Sequence, residues 1–162
     1  PLADADYFEE LRHRKVFLGA YGDPAAAPYD VMVATANAAE GFTGYTHQWL
    51  HPNFDPRFFD ICMLSVDTPR QAAAARNMGQ RYFRVTLADT PMFENETECP
   101  AITTDTQCSD CMMCCARQEG PSIVTRIHGT DRKINRLYEM LGRANEAVLS
   151  TTEKSANEPG EA

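Results

Sequence analysis

The chain has 162 residues, enough for one domain with a real buried core, and its 43% hydrophobic and 23% charged residues are those of an ordinary globular fold. A net charge of −8 gives the surface no general affinity for a nucleic-acid backbone or an anionic membrane; nucleic acid stays open as a partner only through a local basic patch. No apolar run approaches the roughly 20 residues that span a bilayer, so no membrane partner is expected.

In chain order, residues 2–13 carry Leu2, Tyr7, Phe8 and Leu11 among charges and read as a short amphipathic helix. Val16 to Tyr21 reads as a strand buried on both faces. It ends in Gly22-Asp23-Pro24, a turn in which Gly tolerates unusual dihedrals and Pro fixes its own. Pro28 suits the first turn of a helix running from Tyr29 to Ala39 and stopping near Gly41. Strands are expected at Thr43 to Gln48 and at Ile61 to Val66, with a loop over Trp49 to Pro56. Thr68-Pro69 starts an alanine-rich helix that Gly79 ends. Further strands are expected at Tyr82 to Thr86 and Ser122 to Ile127. Thr130 caps a last helix with the stripe Ile134, Leu137, Tyr138, Leu141 and Val148. This order implies an α/β fold, a mostly parallel sheet with crossover helices, either open or a partial barrel. One domain over residues 1–149 is expected, with a cysteine-rich, metal-binding insert at 88–120. Residues 150–162 form an acidic tail without an apolar stripe, expected to be disordered.

Parallel α/β sheets bind ligands beyond the carboxyl ends of their strands. The expected strand exits carry Gly22 and Asp23, then Thr46, His47 and Trp49, then Ser65 and Asp67, then Arg84, then His128. Together they outline a pocket. Asp23, His47, Asp67 and His128 would be its acid–base groups, because buried imidazoles and carboxylates titrate usefully. Each residue also has a plain structural use: Asp23 and Asp67 as turn caps, Trp49 as packing, the histidines as hydrogen-bonded scaffold.

Five of the six cysteines lie within residues 99–115, in the pattern C-x8-C-x2-C-x2-C followed by one more thiol. Two-residue spacings let successive thiolates converge on one centre. The polar, acidic start shows no signal-peptide pattern, and a reduced compartment favours metal over disulfides. Zinc takes four thiolates, and C-x2-C is its common half-site. Three thiolates at C-x2-C-x2-C with a remote Cys-Pro are instead the way bacterial ferredoxins hold a [4Fe–4S] cube, and Cys99-Pro100 supplies that remote partner. The expected ligands are Cys99, Cys108, Cys111 and Cys114, with Cys115 as an alternative to Cys114. The expected group is a [4Fe–4S] cluster, with zinc as the alternative. Cys62 lies inside a strand and reads as a small buried hydrophobe. Radical S-adenosylmethionine enzymes join a parallel barrel to a cluster held by C-x3-C-x2-C, which leaves one iron open. That triplet is missing here. Four thiolates close either centre, which suits structure or electron transfer better than substrate ligation.

The segments Gly19 to Ala26, Thr43 to Trp49, Ser65 to Asp67, Cys99 to Ala101 with Thr106 to Cys114, and Ile127 to Gly129 together resemble a family of cysteine-rich proteins encoded by phages, plasmids and some bacteria. The resemblance covers residues 1–130. It implies a viral or mobile-element origin, a host-cytoplasmic or virion location and viral protein partners, but no particular reaction. Relatives carry a further cysteine segment upstream ending in Cys-Tyr. This chain begins at Pro1, and is expected to be processed, truncated or a member that lost the segment; where present, it would supply thiolates for a second centre. Three functions therefore compete: a closed iron–sulfur module, a zinc-stapled component of a viral or nucleic-acid assembly, and an enzyme, distantly radical-type, using the strand-exit pocket.

Overall fold

The computed structural model describes residues 5–87 and 90–127, together with 132, 134–136 and 138–139. Residues up to Arg126 form one compact unit. In the second unit the described residues from 132 onward are helical. Ile134 and Tyr138 fall on that helix, whereas Thr130, Leu137, Leu141, Val148 and the tail at 150–162 lie outside the described residues.

The first unit is an α/β fold around a six-stranded sheet in which every neighbouring pair is parallel. Its elements are α1 (Ala5–Leu11), β1 (Lys15–Leu18), α2 (Tyr29–Ala38), β2 (Gly41–Thr46), β3 (Met63–Val66), α3 (Pro69–Asn77), β4 (Tyr82–Thr86), β5 (Glu96–Glu98), α4 (Pro100–Thr103), α5 (Cys108–Cys111) and β6 (Ser122–Arg126). The strand order is β1-β2-β3-β4-β6-β5. Local chemistry sets the helix starts. Pro28 immediately precedes α2. At α3 the Thr68 hydroxyl accepts from the Gln71 N–H while the Gln71 side chain accepts from the Thr68 N–H, a reciprocal cap ahead of Pro69. Just past its end, Gly79 takes φ +67.

Register places Leu18, Gly44, Thr46, Leu64, Val66, Tyr82 and Arg84 on one sheet face. Leu18 and Phe42 on this face pack with Ala36 of α2. Leu64, Val66 and Tyr82 pack with Ala72 and Ala75 of α3. Both crossover helices therefore cover the same face. The opposite face carries Phe17, Thr43, Tyr45, Phe83 and Ile123.

Three expectations are corrected. β1 is not buried on both faces: it is an edge strand, Phe17 is 52% exposed, and Tyr21 stands in solvent beyond it. The loop expected over Trp49 to Pro56 is not wholly irregular: two 3₁₀ turns, Gln48–Leu50 and Pro56–Asp60, make the crossover from β2 to β3, and Phe58 and Ile61 fill the space against the sheet. The segment expected as an insert at 88–120 is not wholly outside the sheet, because Glu96–Glu98 pairs with β6 as the other edge of the sheet.

A buried ion pair helps to hold that edge. Arg84 and Glu96 side chains are 4% and 0% exposed, with Nη2 and Oε2 2.6 Å apart. Glu96 also accepts from the Arg84 Nε–H and the Tyr82 hydroxyl, both at 2.8 Å, and from the Phe93 N–H at 2.7 Å. Burial alone pushes the Glu96 carboxyl up; Arg84, the Phe93 N–H and the Tyr82 hydroxyl outweigh it and hold the carboxyl below its ordinary range.

The turn after β1 depends on one glycine. Gly19 has φ +78, and a Cβ there would lie 2.4 Å from the Gly22 carbonyl oxygen and 2.5 Å from Pro24 Cδ. Gly19→Ala combines left-handed strain with an overlap that backbone alone can relieve, so a loss of about 2–3 kcal/mol is expected. The urea midpoint measures it. An unchanged midpoint would mean that this turn is free to rearrange.

Candidate metal centre

The four expected ligands arrive from two places. Cys99 follows β5 directly, and its N–H donates to the Val124 carbonyl at 2.7 Å, so it is tied to the sheet. Pro100 then opens the single turn of α4. Cys108 and Cys111 are the first and last residues of α5. The chain leaves α5 through Met112, which has φ 52 and donates its N–H to the Cys108 carbonyl at 3.1 Å. A second turn follows, with the Cys115 N–H on the Met112 carbonyl at 3.0 Å. These two tight turns bring Cys108, Cys111 and Cys114 to one side.

Arg81, the residue ahead of β4, fastens the loop. Its guanidinium donates to the carbonyls of Met113 at 2.7 Å, Cys115 at 3.0 Å, Gln118 at 2.8 Å and Pro121 at 2.9 Å. One rigid fork thus satisfies four carbonyls that the irregular backbone leaves over.

Cys99, Cys108, Cys111 and Cys114 line one cavity of about 20 Å³ on the face opposite α2 and α3, with Thr43, Tyr45, Ile123, Met112 and Met113 among its walls. That volume holds about one water-sized body. Cys108, at its margin, is exposed; Cys99, Cys111 and Cys114 are half-buried. The adjacent thiols part company. Cys114 faces the cavity, whereas Cys115 is buried in the core with Phe42, Phe58, Ile61 and Cys62. All six cysteines are free thiols.

Electrostatics ties the four sulfurs together. Burial pushes the Cys114 thiol up to about 11, against the pull of the Tyr45 hydroxyl and with the charges of Cys99, Cys108 and Cys111 adding to the rise. Burial raises Cys99 as well, opposed by the Ala101 N–H and reinforced by Cys108 and Cys111. Cys99 and Cys114 therefore resist ionisation while their neighbours are charged. A cation among them reverses the sign of that coupling. Burial pushes Cys62 up to about 12, which suits an inert core thiol. Among the described residues, no three Cys, His, Asp or Glu side chains already stand in a metal-binding arrangement.

The strand-exit residues lie elsewhere, where β1, β2 and β3 end side by side. Asp23 Oδ1 accepts from the Ala25 N–H at 2.9 Å and the Thr46 hydroxyl at 2.8 Å, and Oδ2 from the His47 N–H at 2.8 Å. Gly22 closes the turn before it, donating to the Gly19 carbonyl at 3.1 Å. His47 Nε2 stands 3.6 Å from Asp67 Oδ1, with both side chains exposed. The Asp67 carboxylate, accepting from the imidazole, raises His47 despite partial burial. Trp49 Nε1–H donates to the Ser65 carbonyl at 2.8 Å, bracing the loop after β2 against β3. Arg84 is not with this group; its side chain is held by Glu96 and the Pro91 carbonyl. His128 lies outside the described residues.

Sequence reasoning did not single out Tyr45, Arg81, Met112 or Thr43 as parts of the centre. Tyr45 carried a usable signal, since strand alternation sets it on the face opposite Gly44 and Thr46. Arg81 carried none, because its partners are carbonyls 32–40 residues away.

Among the described residues no helix is long and apolar enough to cross a membrane. No family model, no curated protein and no solved structure matches the chain.

Proposed function

We propose that this chain is a metalloprotein whose Cys99, Cys108, Cys111 and Cys114 thiolates close around a single [4Fe–4S] cluster serving structure or electron transfer. One observation carries the reading. These four thiols, and neither Cys62 nor Cys115, line one cavity. Three of them have the C-x2-C-x2-C spacing by which a cube is held at three corners, and Cys99-Pro100 gives the fourth. With all four thiolates engaged, no coordination position remains for a substrate. The resemblance to phage and plasmid proteins sets this module in a viral or mobile-element context, with viral proteins as its partners.

A second reading, a structural zinc ion, is favoured by the cavity's size. A volume of about 20 Å³ suits one ion held by four cysteines. Anaerobic purification followed by metal analysis and an optical spectrum separates the two. The cluster reading expects a brown protein with about four irons per chain. A colourless protein with one zinc establishes the second reading, and a metal-free folded protein rejects both.

A further inference from the structure

The four thiols are not held alike. The Cys99 N–H is tied to the Val124 carbonyl of β6 at 2.7 Å. Cys114 stands between Met113 and Cys115, whose carbonyls the Arg81 guanidinium grips at 2.7 and 3.0 Å. Cys111 is half-buried, and its N–H donates to the Gln107 carbonyl at 3.0 Å. Cys108, by contrast, is exposed and opens α5. The stretch that leads into it bonds locally. The Thr104 hydroxyl meets the Pro100 carbonyl at 2.8 Å and shares a hydrogen bond with the Thr106 hydroxyl at 2.7 Å, and the Gln107 side-chain amide donates to the Asp105 carbonyl at 3.3 Å. Cys108 also borders a second cavity. A cleft of about 90 Å³ lies beside the metal cavity, with Lys15, Val16, Phe17 and Ser109 in its walls. Thr43, Cys108 and Met112 line both. Phe17, on the cleft wall, is itself largely exposed. Cys108 is thus the thiol with the metal cavity on one side and a solvent-facing cleft on the other.

We infer that the Cys108 corner is an exchangeable coordination position, reached through this cleft, at which a small thiol from solution replaces the protein's own ligand. The inference rests on the metal reading above and deepens it: a centre closed by four thiolates gains one site for an external ligand, on the side of Lys15 and Phe17. The exchange moves no electrons. The Cys108 sulfur gives up its bond to the metal, the incoming sulfur takes its place, and the incoming thiol's proton passes to the Cys108 thiolate. Sulfur is the donor required, because thiolate is the soft ligand that iron–sulfur centres and zinc both accept. The cleft limits that ligand to a few heavy atoms.

The test is chemical rescue. Cys108→Ala and Cys111→Ala proteins are reloaded with the metal that wild type carries, together with sulfide where that is a cluster. A phosphine serves as reductant, so that 2-mercaptoethanol is the sole added thiol. Cys108→Ala should recover metal to within about twofold of wild type when 2-mercaptoethanol is present and stay empty without it, because a closed centre needs its fourth donor. Cys111→Ala should stay empty under both conditions. Wild type supplies a second measurement that needs no substitution. In the loaded protein the initial rate of iodoacetamide alkylation, followed at each cysteine by peptide mass spectrometry, should be at least about tenfold higher at Cys108 than at Cys99, Cys111 or Cys114. Equal rescue of both variants, no rescue of Cys108→Ala, or equal initial rates at all four sulfurs overturn the inference while leaving the metal reading intact. Cys108→Ala protein that holds full metal with no added thiol overturns it as well, since Cys108 then holds no corner. A wild-type protein that carries no metal removes the metal reading, and the inference with it.

Discussion

Cys111→Ala protein should purify without its metal. Removing one of four thiolates is more severe than removing a partner behind a ligand, which alone costs roughly 10–100-fold in metal affinity. Cys111 also ends α5, and the Met112 and Cys115 turns follow from it. Metal binding and local folding are coupled, so residues 99–115 should lose protection from hydrogen exchange while the sheet keeps its own. Cys108→Ala should behave alike. Cys62→Ala and Cys115→Ala provide the contrast. Both thiols are buried among apolar side chains, so these variants should keep full metal and lose only about 1 kcal/mol, the cost of one small buried group. Metal analysis beside hydrogen-exchange mass spectrometry checks all four. Stoichiometric metal in Cys111→Ala, or its loss in Cys115→Ala, would show that a different set of sulfurs holds it.

Glu96→Gln should cost about 3–5 kcal/mol of folding stability, more than any surface charge in the molecule. The substitution keeps volume and removes charge. It leaves Arg84, 4% exposed, without its counter-ion, and turns an acceptor that served Tyr82, Arg84 and Phe93 into a partial donor. The double variant Arg84→Met, Glu96→Leu should recover most of the loss, because an apolar pair leaves no buried charge behind. Denaturant midpoints of the single and double variants measure the cycle. A single variant as stable as wild type would mean that water reaches the pair. The same carboxyl predicts the response to acid. Its folded pKa is depressed, so its contribution is complete above the ordinary carboxylate range and is lost as pH falls through the depressed folded value. Stability at neutral pH should therefore exceed stability in acid, with a smaller difference in the double variant.

The elements that local chemistry determines were legible from residues alone. Thr68-Pro69 and Pro28 announced two helices, and Tyr82–Thr86 is the strand its aromatic and β-branched residues suggest. The clustered thiols were equally plain, because spacing is a property of the chain. What stayed hidden depends on long-range partners. Glu96–Glu98 is too short and too polar to show a strand period, and it is held by β6 and by Arg84, 12 residues upstream of Glu96. Cys114 and Cys115 are indistinguishable as neighbours in sequence; the left-handed Met112 and the Arg81 clamp decide which one meets the cavity. Edge position made β1 half-exposed although its composition suits a centre strand. Asp23 shows the opposite case. Its carboxylate is taken up by three donors that fasten the β1 and β2 exits together, so the turn-cap use accounts for its hydrogen bonds.

X-ray absorption at the edge of the bound metal tests the central claim most directly. The account predicts that every atom bound to the metal is sulfur, with iron–iron scattering if the centre is a cluster and about four sulfurs at about 2.3 Å if it is zinc. Nitrogen or oxygen bound to the metal would contradict it, since that centre would draw on His or carboxylate groups that do not border the four-thiol cavity.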